Sequence, residues 1–156
     1  MAGGKKITVY ARAPLRISFA GGGSDTEVYS SRFGGLILSA AIARYVTVRA
    51  DEGSDKCYSY PQDETDPIYL ATLSRARSGV MVGLTSRLDV PPRSGLGASG
   101  ARGVAAVACM RALEGRARVP AEIAEEAYRF ETEEMGNAAG RQDQYAAAFG
   151  GINLMT

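Results

Sequence analysis

The stretch Pro91-Pro92-Arg93-Ser94-Gly95-Leu96-Gly97-Ala98-Ser99-Gly100-Ala101 governs the reading of the whole chain. It sets glycines and a hydroxyl directly before residues 98–113, where small and apolar side chains predict a helix buried on most of its faces. Glycine lets a backbone N–H turn towards an anion with no Cβ in the way. The helix that follows adds roughly half a positive charge and several unpaired donors at its N-terminus. Arg93, Ser94, Gly95, Leu96, Gly97, Ala98 and Ser99 therefore form a candidate phosphate cradle, and ATP is the ligand it suits. A tight turn before a buried helix would use the same residues, so this loop alone leaves both readings open.

Two other stretches bear on the choice. Ala13-Pro14-Leu15-Arg16-Ile17-Ser18-Phe19-Ala20-Gly21-Gly22-Gly23-Ser24-Asp25 carries an arginine on a short alternating strand into three glycines and a Ser-Asp pair. Gly140-Arg141-Gln142-Asp143-Gln144-Tyr145-Ala146-Ala147-Ala148-Phe149-Gly150-Gly151 is the second. With the glycine loop they resemble the GHMP kinase superfamily (galactokinase, homoserine kinase, mevalonate kinase, phosphomevalonate kinase), whose second motif reads Pro-x-x-x-Gly-Leu-Gly-Ser-Ser-Ala. The wording of the flanking stretches is most similar to D-glycero-D-manno-heptose 7-phosphate kinases and fucokinase-like sugar kinases. Any one motif is a weak signal; three in order are a specific one.

Composition narrows the field independently. A chain of 156 residues is long enough for one domain with a real core. With 18 basic against 17 acidic residues the net charge is +1, so neither nucleic acid nor an anionic membrane is an expected partner. Cys57 and Cys109 have no CxxC partner and read as free thiols. No histidine is present, which excludes Ser-His-Asp and Cys-His catalysis and histidine metal sites. The first residues lack the apolar core of a signal peptide, and no run approaches the ~20 apolar residues that span a bilayer. The cytoplasm is the expected location.

Patterning predicts strands over residues 7–18, 36–50 and 80–90, with a helical turn as an alternative at 40–43. Pro14, lacking an N–H, marks an edge or a break. Residues 51–67 read as hairpin loops, 68–78 as a short helix, and 120–134 as a helix with Pro120 at its first position. Strands first and helices afterwards, without βαβ alternation, argue an α+β fold. The resemblance implies a ribosomal protein S5 domain 2-like GHMP N-terminal domain spanning 1–156.

The resemblance also implies roles. Ser99 and Glu131 match the family's Mg²⁺ ligands, and a hydroxyl and a carboxylate are the hard oxygen donors this ion requires. A solvated helix carboxylate, like Glu133 and Glu134, is the plain alternative for Glu131. Asp143 matches the aspartate facing the acceptor hydroxyl, and Arg16 its basic partner, whose guanidinium keeps a neighbouring carboxyl ionised. An exposed edge-strand arginine is the alternative for Arg16. Asp25 matches the branch's sugar-binding aspartate; Gly22 and Gly23 would let backbone pass close to the sugar, Ser24 offers it an oxygen and Gln142 lines the site, although Gly-Ser-Asp is also ordinary turn chemistry. Arg141 is a candidate, from its charge, for holding a phosphate already on the sugar.

The chain departs from the pattern at Ala98, in place of the motif's first serine, and at Gly100-Ala101-Arg102, in place of a Ser-Ala run. Buried arginines at 102 and 111 must find an exposed side or an anion. Family members carry a further C-terminal domain with a third glycine-rich motif that is not among these residues. The expectation is a sugar kinase, most like those acting on the anomeric hydroxyl of a heptose 7-phosphate, that needs a C-terminal half or self-association. A non-catalytic nucleotide- or sugar-binding domain is the rival, and an isoprenoid acid such as mevalonate is a third acceptor.

Overall fold

The computed structural model describes residues 6–60, 70–74 and 81–156. Strand β1 (Thr8–Ala20) leads through a single 3-10 turn, Gly22–Asp25, to a short helix α1 (Glu27–Phe33) and then to β2 (Ile37–Glu52). The two long strands pair antiparallel. β3 (Tyr58–Tyr60) lies parallel to β4 (Val82–Leu88), which pairs antiparallel with the second half of β2. Helices α2 (Ala98–Leu113), α3 (Pro120–Arg129) and α4 (Gln142–Phe149) follow, and β5 (Ile152–Met155) returns to pair with the first residues of β2. The sheet order is β1-β2-β4-β3 with β5 on β2, a mixed sheet with helices on one face, and the expected α+β class holds.

The sequence pattern explains most of these elements. α2 is rich in alanine, the best helix former, and its small side chains let it lie close against the sheet. Ala101, Val104, Ala105, Val107 and Met110 pack into one cluster with Val46, Val48, Ala50 and Leu84 from the strands. The helix stops at Glu114, with Gly115 in the left-handed region at φ 68°. α3 starts at Pro120, whose missing N–H costs nothing at a first helical position. Cys109 is buried in the core, where desolvation pushes its thiol up to about 12, and Cys57 is also a free thiol.

Several expectations are corrected. Residues 40–43 stay extended inside β2 because cross-strand pairing to Leu15, Arg16 and Ile17 holds them there. The region 51–67, expected as hairpin loops, contains β3, a three-residue strand held on β4; residues 61–67 lie outside the described residues. The helix expected over 68–78 is seen as a helical turn at 70–74, and the remainder lies outside the described residues. The helix expected to run unbroken to residue 134 widens after Arg129 into a π turn, Phe130–Glu134.

The pairing of β1 with β2 changes register between Pro14 and Leu15, where Ala43 and Arg44 of β2 are passed over. The odd-numbered Val9, Ala11, Ala13 and Leu15 all belong to the core cluster, so the core face of β1 is kept across this shift. The even-numbered Arg16 and Ser18 reach the first residues of α4. A second shift falls between Ser18 and Ala20, where Phe19 is the extra residue of a bulge in β1.

Candidate active site

Arg16 and Asp143 meet where β1 crosses the start of α4. Arg16 donates from Nε to Asp143 Oδ1 at 2.7 Å, and its Nη2 stands 2.6 Å from the same oxygen. Both side chains are mostly shielded, at 15% and 29% exposure, so the pair interacts more strongly than one in open solvent. Arg16 is therefore no free edge-strand cation.

The glycine loop is tied to the same arginine. Arg16 Nη1 donates to the Gly95 carbonyl at 2.8 Å, and its backbone N–H donates to the Leu96 carbonyl at 3.0 Å. Arg93, Gly95 and Gly97 all have positive φ, which turns the loop tightly ahead of α2. Gly100 answers one of the departures from the motif. A Cβ there would lie 2.5 Å from Asp143 Cβ, so only glycine lets α2 and α4 approach this closely. Together Arg16, Pro92, Arg93, Ser94, Gly95, Gly97, Ala98, Ser99, Arg102 and Asp143 line a cavity of ≈ 270 Å³, with Leu88 at its floor. Arg102 is buried yet borders this cavity, which is where its charge can serve an anion.

Glu131 lies one layer deeper. The π turn swings it away from the exposed Glu133 and Glu134, and it is buried. Such turns recur at functional positions in helices. Ser99 Oγ donates to Glu131 Oε1 at 2.8 Å, and the buried Gln144 donates from Nε2 to Oε2 at 2.8 Å. Among the described residues no group of three or more His, Cys, Asp and Glu side chains could cage a metal. A hydroxyl and a carboxylate side by side do fit Mg²⁺, which commonly takes one or two protein oxygens and completes its shell with phosphates and water. Gln144, unassigned by sequence reasoning, is the residue that holds this carboxylate.

The glycine-rich turn after β1 is placed differently. Gly22, Gly23, Ser24, Asp25 and Gln142 do not line this cavity; Asp25 bonds to the start of α4, and Gln142, the first residue of that helix, bonds to Ser18. Ser24 Oγ donates to the Gly21 carbonyl at 2.7 Å, and Gln142 Nε2 donates to Ser18 Oγ at 2.7 Å. Asp25 accepts from the backbone N–H of Arg141 and of Gln142 at 3.0 and 2.7 Å. Burial lifts its carboxyl above the ordinary range, and those two N–H bonds work against the lift. Arg141 is committed elsewhere: its guanidinium donates twice to Glu125 at 3.2 Å and sits 4.0 Å over the Tyr128 ring. That pairing holds the Glu125 carboxyl below its usual range.

A strand-borne arginine, an aspartate at a helix start and a glycine loop around one cavity agree with the family comparison. Residues 68–151 match the model of the GHMP kinases N terminal domain, and the chain belongs to that family. Among curated proteins it is similar to the D-glycero-alpha-D-manno-heptose 7-phosphate kinase of Campylobacter jejuni, with 31% identity over 95% of this chain and 50% of the relative. Among solved structures it resembles a D-glycero-D-manno-heptose 1-phosphate kinase from Bacteroides thetaiotaomicron, with a TM-score of 0.80 and 29% identity over 96% of this chain and 56% of that one. The mevalonate kinase of Methanococcus jannaschii, at a TM-score of 0.75 and 17% identity over 98% of this chain and 54% of that one, shares the fold. The chain thus spans about half the length of these relatives. No helix among the described residues is long and apolar enough to cross a membrane.

Proposed function

We propose that this chain is the nucleotide- and acceptor-binding half of an ATP- and Mg²⁺-dependent sugar kinase. The acceptor we favour is the anomeric hydroxyl of a heptose 7-phosphate, by likeness to the Campylobacter relative. The observation that carries the reading is the shielded Arg16–Asp143 pair at the rim of the glycine-loop cavity. In phosphoryl transfer the protein's work is positioning and charge stabilisation. The backbone N–H groups of residues 93–97 and the start of α2 would hold the donor phosphates. Ser99 and Glu131 would hold Mg²⁺, which neutralises charge on the transferring group.

Asp143 accepts the proton of the attacking hydroxyl as the new O–P bond forms and the bond to the leaving diphosphate breaks. Arg16, bonded to Asp143 Oδ1 and tied to the Gly95 and Leu96 carbonyls, holds it in register with the loop. An anomeric hydroxyl is more acidic than an ordinary alcohol and asks less of this base. A C-terminal half would complete the acceptor pocket and exclude water.

The test is ADP formation from ATP and Mg²⁺ by the full-length protein across a panel of sugars, sugar phosphates and mevalonate. Fastest turnover with a heptose 7-phosphate supports the proposal. ATP binding in a calorimeter with no turnover of any acceptor would replace it with a non-catalytic binding domain.

A further inference from the structure

We infer that Asp25 is a positioning residue: from across the fold its carboxylate caps the N-terminus of α4 and thereby sets where Asp143 stands. The inference rests on the kinase reading for its consequence, though not for its geometry. Helix N-termini leave backbone N–H groups unpaired, and a nearby carboxylate satisfies them and favours the positive end of the helix dipole. Arg141, the residue at the cap position of α4, makes no capping bond with its own side chain. Asp25 takes that place, with Oδ1 on the Arg141 N–H and Oδ2 on the Gln142 N–H. Asp143 is the next residue.

Both sides of the contact are built for it. A Cβ on Gly140 would lie 2.0 Å from Asp25 Oδ2 and 2.2 Å from Cγ, so glycine is required for the carboxylate to reach the helix. On the other side, the turn carrying Asp25 closes on itself. The Ser24 N–H and Oγ both donate to the Gly21 carbonyl, at 2.8 and 2.7 Å. Ser24 Oγ also accepts from the Leu36 N–H at 3.2 Å, which pins the turn to the entry of β2. Gly21 itself, at φ 79°, has no room for a side chain against the Leu36 carbonyl. The Gly-Gly-Gly-Ser-Asp wording therefore describes a clamp on the catalytic helix. Burial raises the Asp25 carboxyl above its ordinary range, and the two helix N–H bonds work against that rise.

A direct sugar contact and a positioning role separate kinetically. In the full-length kinase, Asp25→Asn is expected to lower kcat roughly 10- to 100-fold while the acceptor KM stays within about twofold, the signature of a displaced base. Gly140→Ala, which keeps the carboxylate but pushes it back, should give the same split. A raised acceptor KM with kcat retained, or no change in either, would overturn the inference. Amide hydrogen exchange in residues 1–156 gives an independent reading without activity. Arg141 and Gln142 amides should exchange slowly in the native chain and faster in Asp25→Asn, and equal rates would overturn the cap. An enzyme inactive on every sugar would remove the kinase reading and leave the exchange result standing.

Discussion

Asp143 touches Arg16 through a single oxygen, Oδ1. On the proposed reading of Asp143 as a base, that contact makes charge the property to test. Asp143→Asn keeps the shape, so folding and ATP affinity should persist while turnover falls roughly 10²–10⁴-fold, the scale of a positioned acid–base group; near-native kcat would remove Asp143 from the mechanism. Ser99 sits at a helix start as well as against Glu131, so its two roles need separating. Ser99→Ala should weaken ATP binding with Mg²⁺ more than without it, measured by titration under both conditions, whereas equal loss would leave Ser99 only its structural bond to Glu131. At this scale much was readable in advance. Arg16, Asp143 and Ser99 were singled out through the three motifs that resemble the GHMP kinases, and the fold brings all three to one cavity. Gln144 and Gly100 were not readable, since their importance lies in what touches them across the chain: a buried carboxylate for one and the Asp143 side chain for the other.

Helix α2 contains its own electrostatic problem, solved by α3. Arg111 is buried on α2, and its guanidinium reaches Glu122 and, at 3.4 Å, Glu126 on α3. Arg111→Ala removes a buried side chain together with its two ion pairs and should cost about 3 kcal/mol in chemical denaturation. Glu122→Gln, at the exposed end of the same contact, should cost well under half of that, because it leaves the packed arginine stem in place; equal losses would mean that the charge pairing, not packing of the stem, is at stake. Sequence patterning found α2, α3 and β4 because their apolar spacing is strong and continuous. It missed β3, where three residues depend on pairing with β4, and the π turn, where no local signal marks the widening. The register shifts between β1 and β2 had no sequence signal beyond Pro14, because register is a property of two strands together.

Across the whole molecule the sheet end near β5 is unusually apolar. Ile17, Ala40 and Ile152 align across three strands, as do Ala20, Leu38 and Leu154 in the next row. Ile152 and Leu154 are 79% and 68% exposed, and Phe19 is 62% exposed beside them. Contiguous patches of this kind are uncommon on soluble monomers and mark contact surfaces. Residues 1–156 alone should therefore self-associate in light scattering and show little sugar-kinase activity, with both corrected by a C-terminal half supplied covalently or in trans. A monomer with full turnover would show that no second half is needed. The Arg16–Asp143 pair also imposes an order in time. Its members are 127 residues apart, so at ordinary synthesis rates the arginine leaves the ribosome about 6 to 25 s before its counterion exists. Through that interval β1 can pair with β2 but has no anion to receive Arg16, and the glycine loop has no fixed neighbour on α4. The cavity is thus closed only once α4 is made, and a chain released before residue 143 would carry the whole glycine loop with no Asp143 to receive Arg16.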